Sequence, residues 1–299
     1  MTTEEDIRRE RVRQSERTVD NLKRLYAVLF AISFGVVAAS TYEKIQNFDK
    51  IEQFGIESII LHAEMTIAFI ITAGLFYYQG DRFLDVVYAK EPLAPVGPFQ
   101  FGIDYLVNVF TMVPFFLMAH ALAEKFTSAV GFTWFFVSYV LLIGLGLALL
   151  IFRDAFSLIQ KPASESAQIS ALKVFWLSMN SFLLLCLVGM YALFITIGDT
   201  CPANYHGKSI FGFPLVMGIL IFSRDYLDFT RGWAILYPVD GNSRHADLLA
   251  PIPWLTHKSA RVRARVFSLV VIALLIFLIW KFDLWDLPAI ASRCALPPS

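Results

Sequence analysis

The sequence predicts an all-α integral membrane protein, a polytopic bundle of about seven transmembrane helices. Of the 299 residues, 57% are hydrophobic, and they fall in seven long runs. Soluble domains hold about 45–50% apolar residues, and crossing about 30 Å of hydrocarbon takes roughly 20 helical residues. The charges are also asymmetric, because a seven-span scheme puts 19 of the 25 Lys and Arg residues on one side. This asymmetry predicts a cytoplasmic N-terminus and an external C-terminus.

The first element is a charged N-terminal segment, residues 1–24, which lacks the apolar stretch of a signal peptide. The pairs Glu4–Arg8 and Glu5–Arg9 lie four residues apart and predict a short cytoplasmic helix. The transmembrane domain at 25–283 and an external tail at 284–299 follow. Each span should be helical, because lipid cannot satisfy backbone polar groups. The predicted spans are 25–42, 58–79, 102–123, 132–152, 172–197, 209–230 and 265–283.

Span one carries a small residue at every fourth position: Ala27, Ala31, Gly35 and Ala39. Small residues let helix backbones approach closely in lipid, where packing rather than hydrophobicity drives association. The stripe therefore predicts that span one is buried between neighbouring helices or forms a contact in a homo-oligomer.

An internal repeat is suggested by Arg82, Arg153 and Arg224, which lie 71 residues apart at the cytoplasmic ends of the even-numbered spans. Asp154 and Asp225 are also 71 residues apart. One interpretation is three hairpin repeats, spans 1–2, 3–4 and 5–6, followed by an added seventh helix. The other is that the charge rule for cytoplasmic ends places Arg there and the equal steps are chance.

Polar side chains near the predicted cytoplasmic face are the candidates for a pathway or gate. One interpretation is a ring of Arg–Asp pairs that closes a conduit, with Asp104 and Asn180 inside it. The alternative is that these are helix-end charges that reach back to water. The candidates are Arg82, Asp104, Asn108, Arg153, Asp154, Asn180, Arg224, Asp225 and Asp228.

The predicted outer side carries imidazoles and carboxylates, of which His62, His120 and Glu124 are weak metal candidates; Glu64 and His206 lie on the same side. His and carboxylate side chains bind divalent metals or relay protons. No compact zinc signature is present, so solvation at the membrane surface is the alternative. We expect no resident metal and no cofactor.

Three cysteines divide between the spans and the outer side. Cys186 lies in an apolar run and is expected to be an inert, buried side chain. Cys201 and Cys294 both fall outside, where an oxidising compartment permits a disulfide. The alternative is two free thiols, because sequence alone does not give connectivity.

Catalytic signatures are absent: there is no phosphate-binding Gly-rich loop ending in Lys, no nucleophile elbow and no zinc-protease helix. The sequence therefore favours a non-enzymatic channel or transporter that moves an ion or small solute across a membrane of the bacterial inner-membrane type. A membrane-embedded enzyme acting on lipid is the third interpretation.

The second interpretation is that the protein is a membrane subunit, effector or scaffold. It would recruit a soluble partner through the N-terminal segment and the cytoplasmic loop 223–265. The basic run 258–265 should contact anionic lipid headgroups. Equal numbers of basic and acidic residues give no reason to expect a nucleic-acid partner.

Overall fold

The computed structural model describes residues 4–46, 55–89, 98–123, 129–159, 167–198, 213–236 and 259–281. Within these ranges the chain forms seven α-helices and no β-strand, so the predicted all-helical bundle is confirmed. The helices are α1 Glu4–Gln46, α2 Gly55–Ala89, α3 Pro98–Ala123, α4 Ala129–Ile159, α5 Ala167–Gly198, α6 Phe213–Leu236 and α7 Ala260–Lys281.

The first helix is longer than expected. Residues 4–46 form one continuous helix of 43 residues, about 65 Å long at 1.5 Å per residue. The predicted N-terminal helix is therefore present, but it is continuous with the first span rather than short, and its cytoplasmic location stays a prediction. No Pro occurs in this segment and Gly35 is its only Gly, so nothing ends the helix where its charged part meets its apolar part. The predicted Glu5–Arg9 pair is present at 2.7 Å, whereas the side chain of Arg8 lies outside the described residues.

Five helices, α2 to α6, close into a ring through the contacts α2–α3, α3–α4, α4–α5, α5–α6 and α6–α2. Outside the ring, α1 lies in the groove between α2 and α3, and α7 packs along α5. We call the end of the bundle that carries the charged part of α1 the basal end, and the opposite end the distal end. Lys23 contacts Asp81, and Lys44 lies near His62, so α2 runs antiparallel to α1 and ends at the basal end.

The outer surface of this bundle is apolar. Large hydrophobic side chains such as Ile32, Ile70, Leu269 and Phe277 are exposed, as expected for helices that face lipid rather than water. Five of the described helices are long and apolar enough to cross a membrane: α1, α2, α4, α5 and α7. The chain thus has the architecture of a multi-pass membrane protein.

The two remaining helices fall short for different reasons. The described part of α3 supplies a shorter apolar stretch, Val109–Ala123. In α6, Arg224, Asp225 and Asp228 fall within the apolar run, but all three are buried in the bundle. These three charges of α6 therefore face protein, while Ile219, Leu227 and other apolar side chains of this helix remain exposed.

The small-residue stripe of span one does not contact neighbours in this chain. Ala31, Gly35 and Ala39 are exposed, and α1 instead buries the opposite face, which includes Phe30 and Val37. The prediction that this stripe packs inside the bundle was therefore wrong. Aromatic side chains offer more contact area to neighbouring helices than methyl groups do, which explains why that face turns inward.

Close helix approach occurs elsewhere, at Gly80 of α2. A Cβ placed on Gly80 would lie 2.7 Å from the Tyr26 hydroxyl oxygen. Tyr26 donates a hydrogen bond to the carbonyl of Phe76 at 2.9 Å and stacks on Tyr77. The absence of a side chain at Gly80 thus lets the α1 tyrosine lie against the α2 backbone.

Arg82, Arg153 and Arg224 are equally spaced in the sequence, but they do not lie at the same depth along the bundle. Arg224 lies level with Phe76 of α2 and Tyr139 of α4. Arg82 is six residues beyond Phe76, about 9 Å along the helix, and Arg153 is 14 residues beyond Tyr139, about 21 Å. The two helices of each predicted hairpin, α1–α2, α3–α4 and α5–α6, do pack together. The arginines that lie 71 residues apart, however, do not occupy equivalent positions in the three hairpins.

Candidate functional site

Arg224 is the centre of a buried polar cluster inside the helix ring. Its side chain is 4% exposed, and each of its three guanidinium nitrogens meets an acceptor. Nε donates to Asn180 Oδ1 at 3.2 Å, Nη1 to Asp225 Oδ1 at 2.7 Å, and Nη2 lies 2.8 Å from Asp228 Oδ2. The guanidinium also lies 5.0 Å from the centre of the Phe76 ring, within the range of a cation–π contact.

Asp228 accepts its side-chain hydrogen bonds on one oxygen, because its Oδ2 pairs with the charge of Arg224 without making a hydrogen bond to a described residue. Besides the ion pair with Arg224, its Oδ1 accepts hydrogen bonds from Trp176 Nε1 at 2.7 Å and from Gln79 Nε2 at 3.0 Å. These donors come from α5 and α2, so one carboxylate ties three helices together. Burial of an ion pair is tolerated only when such additional hydrogen bonds satisfy the charged atoms.

Asp225 accepts one hydrogen bond on each of its two oxygens. Arg224 donates to its Oδ1, and the Thr72 hydroxyl donates to its Oδ2 at 2.8 Å. Tyr139 of α4 lies beside Thr72 and within electrostatic reach of both carboxylates. Its hydroxyl is buried and has no partner in good hydrogen-bonding geometry among the described residues. The cluster therefore holds two oxygens with unused hydrogen-bonding capacity among the described residues, the Tyr139 hydroxyl and Asp228 Oδ2.

The cluster extends from near the middle of the membrane-crossing helices towards their basal end, where Asp228 meets Gln79 and Trp176. Thr72, Tyr139 and Asn180 are each within about three residues of the midpoint of their spans, Ile59–Asp81, Gly131–Phe152 and Leu172–Ala192. The sequence had placed these charges near the cytoplasmic face, so their depth differs from the expectation. With Arg224 charged and both aspartates ionised, the cluster carries one excess negative charge. Ionisable groups at such depth are costly and commonly mark ion or substrate pathways.

Four of the nine predicted pathway residues are brought together here: Asn180, Arg224, Asp225 and Asp228. The other five belong to described helices, but their side chains lie outside the described residues: Arg82, Asp104, Asn108, Arg153 and Asp154. A complete ring of Arg–Asp pairs thus stays a prediction, and the part that the structure describes is a single compact cluster around Arg224.

Sequence reasoning missed four residues of the cluster: Thr72, Gln79, Tyr139 and Trp176. Gln79 offered a signal, since a Gln at the end of an apolar span needs a hydrogen-bonding partner. Trp176 also lies within a span, whereas a tryptophan that anchors a helix at the membrane surface lies at its edge. Thr72 and Tyr139 carried no comparable signal, because a single sequence does not show which helices are neighbours.

At the distal end, Lys44 donates to the backbone carbonyl of Leu122 and lies 3.5 Å from His62 Nδ1. An ammonium group beside an imidazole repels a second cation, which weighs against a metal ion at His62. His120 is exposed, and Glu124 and His206 lie outside the described residues. No group of three or more His, Cys, Asp or Glu side chains in the described helices is arranged to hold a metal.

Of the three cysteines, the structure describes one. Cys186 of α5 is a free thiol that is partly rather than fully buried. Cys201 and Cys294 lie outside the described residues, as do the tail 284–299 and residues 237–258 of the loop predicted at 223–265. The two ends of that predicted loop are instead helical, in α6 and α7. Their disulfide remains a prediction.

Comparisons with known protein families, with curated proteins and with solved structures find no match for this chain. The buried Arg224 cluster is the feature of the described structure that bears most directly on function.

Proposed function

We propose that this protein is a non-enzymatic membrane transporter or channel for an ion or small solute, with the Arg224 cluster as its ion-binding site. The observation that carries the proposal is a buried arginine with two carboxylates within a bundle of membrane-crossing helices. A cluster whose only role was to hold helices together would gain little from an excess charge, because an apolar core of similar volume is often as stable.

The aromatic packing of the bundle favours a gated transporter over an open pore. Phe69, Phe115, Phe132 and Phe135 are each at most 1% exposed and pack between the helices around the cluster. In this conformation an ion could reach the cluster only after side chains or helices move. We further propose that the basal end faces the cytoplasm of a cell with a bacterial type of inner membrane, in line with the excess of basic residues on that side.

Reconstitution of the purified full-length protein into liposomes tests this function. Gradients of H⁺, Na⁺, K⁺ and small organic ions are imposed, and their dissipation is followed with indicator dyes and isotopes. The variant Asp225→Asn keeps the shape of the side chain and removes the excess negative charge, while Asp228 still balances Arg224, so it should abolish the flux. Asp20→Asn, at an exposed position on α1, should transport like the wild type.

A second candidate function is a membrane scaffold that recruits a soluble partner. The observation in its favour is the exposed, charged basal part of α1, where Glu5, Arg9, Glu10 and Arg13 all face solvent. A stoichiometric partner that copurifies with the full chain, and is lost when residues 2–17 are deleted, would favour this function. The absence of any gradient-driven flux would favour it further.

A further inference from the structure

Two buried oxygens of the Arg224 cluster make no hydrogen bond to a described residue, Asp228 Oδ2 and the Tyr139 hydroxyl. Asp228 is fully buried, and its Oδ2 lies 2.8 Å from Arg224 Nη2 but without the geometry of a hydrogen bond. An ionised carboxylate oxygen has about two lone-pair sites. Asp228 can therefore form a new bond at Oδ2 while keeping both hydrogen bonds at Oδ1, from Trp176 and Gln79.

The cluster needs one further positive charge to be neutral. Arg224 contributes one positive charge, and Asp225 and Asp228 contribute two negative charges when both are ionised. Since burial disfavours an unbalanced charge, the site favours the uptake of a single proton. A proton on Asp228 Oδ2 leaves Arg224 bonded to Asp225 at 2.7 Å and to Asn180 at 3.2 Å. A proton on Asp225 would compete with a donor, because each of its oxygens already accepts a hydrogen bond.

A metal cation fits this site less well than a proton does. Hard cations such as Ca²⁺ and Mg²⁺ are held by about six or more oxygen ligands. The Asp228 carboxylate instead faces N–H groups of Trp176, Gln79 and Arg224. The positive ends of these groups point at the carboxylate and would repel a metal ion. A proton needs one lone pair, which Asp228 Oδ2 provides.

Gln79 connects this carboxylate with the basal end of the bundle. Its side-chain amide donates to Asp228 Oδ1 at 3.0 Å and to the Asp228 backbone carbonyl at 3.2 Å. Gln79 is itself partly exposed, although Asp228 is fully buried. Two residues further along α2, about 3 Å, Asp81 forms an ion pair with Lys23 and its side chain is 36% exposed. Among the described side chains, Gln79 therefore lies between Asp228 and the exposed charges of the basal end.

The distal side of the cluster is covered by aromatic side chains. Phe69 of α2 lies three residues to the distal side of Thr72, and Phe132 and Phe135 of α4 lie seven and four residues to the distal side of Tyr139. All three phenylalanines are buried. Such an apolar layer gives a water molecule no hydrogen-bonding partners. In this conformation the basal end is therefore the side from which a proton has the shorter way to the cluster.

Resting on the proposed transport function, we propose that the transported or coupling ion is a proton and that Asp228 takes it up at Oδ2 from the basal end, past Gln79. A hydronium ion supplies the proton and becomes water, and an O–H bond forms at Oδ2. The excess negative charge of the cluster is removed, and Arg224 remains paired with Asp225. The groups that face Asp228 are Arg224 and Asp225 on its own helix, Gln79 on α2, Tyr139 on α4 and Trp176 on α5.

Two variants that each remove one donor distinguish Asp228 from Asp225 as the proton acceptor. Proton flux is measured over a series of pH values in liposomes that contain a pH-sensitive dye and a K⁺ diffusion potential set by valinomycin. Trp176→Phe removes a hydrogen bond to ionised Asp228, which favours the protonated form. The midpoint of the pH dependence should therefore move upward by about one pH unit. Thr72→Val removes the corresponding donor to Asp225 and should move the midpoint less.

Access from the basal end is tested with two cysteine variants on one face of α2, in a chain whose three native cysteines are replaced by serine. Gln79→Cys should react with a small, water-soluble thiol reagent added on the side of the membrane that bears the N-terminus. Ala68→Cys lies 11 residues away, on the distal side of the cluster, and is buried. We expect Gln79→Cys to react at least about tenfold faster than Ala68→Cys, because such reagents need an exposed thiol.

If Trp176→Phe does not fold, as judged by size-exclusion chromatography, Gln79→Met takes its place, because it removes the other donor to Asp228 Oδ1. An equal or larger upward shift for Thr72→Val would overturn the assignment of the proton to Asp228. Equal or slower labelling of Gln79→Cys than of Ala68→Cys would overturn the basal route. Flux of Na⁺, K⁺ or a solute without proton flux would overturn the choice of ion but leave the transport function standing. No flux of any ion would overturn the transport function itself.

Discussion

A guanidinium group buried in lipid-facing helices is stable only when its charge and its donors are all matched. Arg224 meets this condition with Asn180, Asp225 and Asp228, and each of the two aspartates receives donors from a further helix. The chemistry of every member thus depends on the others. Loss of a single member leaves a buried charge or a buried donor without its partner, and this cost exceeds the net value of the interaction.

We expect Arg224→Ala to lower the free energy of unfolding by about 3–5 kcal/mol, because it leaves two buried carboxylates without their cation. The measurement is the unfolding midpoint in detergent, followed by circular dichroism. Arg9→Ala breaks only an exposed pair with Glu5 and should change the stability by less than about 0.5 kcal/mol. The double variant Arg224→Gln/Asp228→Asn should recover part of the loss. Equal midpoints for Arg224→Ala and Arg9→Ala would contradict a coupled cluster.

The sequence identifies the charged members of this cluster but not their depth or their neutral partners. Asp225 and Asp228 interrupt an apolar run, and a run interrupted by charges is naturally taken to end at the membrane surface. The structure instead buries both residues, with Asp225 at the level of Thr72 near the middle of the spans and Asp228 nearer the basal end, at the level of Gln79 and Trp176. Thr72 and Trp176 could be assigned to the cluster only once the neighbours of α6 were known.

At the scale of the elements, small residues have opposite roles in α1 and α7. The stripe in α1 faces outward, whereas Ala260, Ala264 and Ser268 of α7 are buried at the same four-residue spacing, on the face of α7 that meets α5. Ser268 accepts a hydrogen bond from Ser181 of α5 at 2.8 Å. The spacing alone therefore predicts a close contact but not which helix uses it, because that depends on the bulk of the opposite face.

The contact between α7 and α5 can be tested with two equal substitutions on α7. Ala264 is fully buried and should tolerate Leu poorly, with a loss of about 1–3 kcal/mol from overpacking. Ala273 is exposed to lipid, and Ala273→Leu should leave the thermal unfolding midpoint in detergent unchanged. If the two variants unfold at the same temperature, α7 does not pack on α5 through its small residues.

At the scale of the whole molecule, the number of crossings depends on α6. Hydropathy alone disfavours this helix as a span, because three charges interrupt its apolar run. In the folded bundle, Arg224, Asp225 and Asp228 are buried in the helix ring, so these charges do not face lipid. The outer surface of α6 carries Ile219, Leu227 and Phe229. Charged residues that face protein are compatible with a transmembrane helix, whereas the same residues facing lipid would be costly. The seven-span prediction from the sequence thus depends on the tertiary structure at α6 and on α3, whose described apolar stretch is short.

The topology of α6 gives a direct test of this interpretation. Reporter domains inserted at position 205, before α6, and at position 242, after it, should report opposite sides of the membrane. With the excess of basic residues at the basal end, position 242 and the N-terminus should both be cytoplasmic, and a reporter after Ser299 should be external. The external assignment also places Cys201 and Cys294 on one side, so a disulfide between them in protein from an oxidising host would agree with it. Reporters at 205 and 242 on the same side would show that α6 does not cross the membrane and that the Arg224 cluster does not lie inside it.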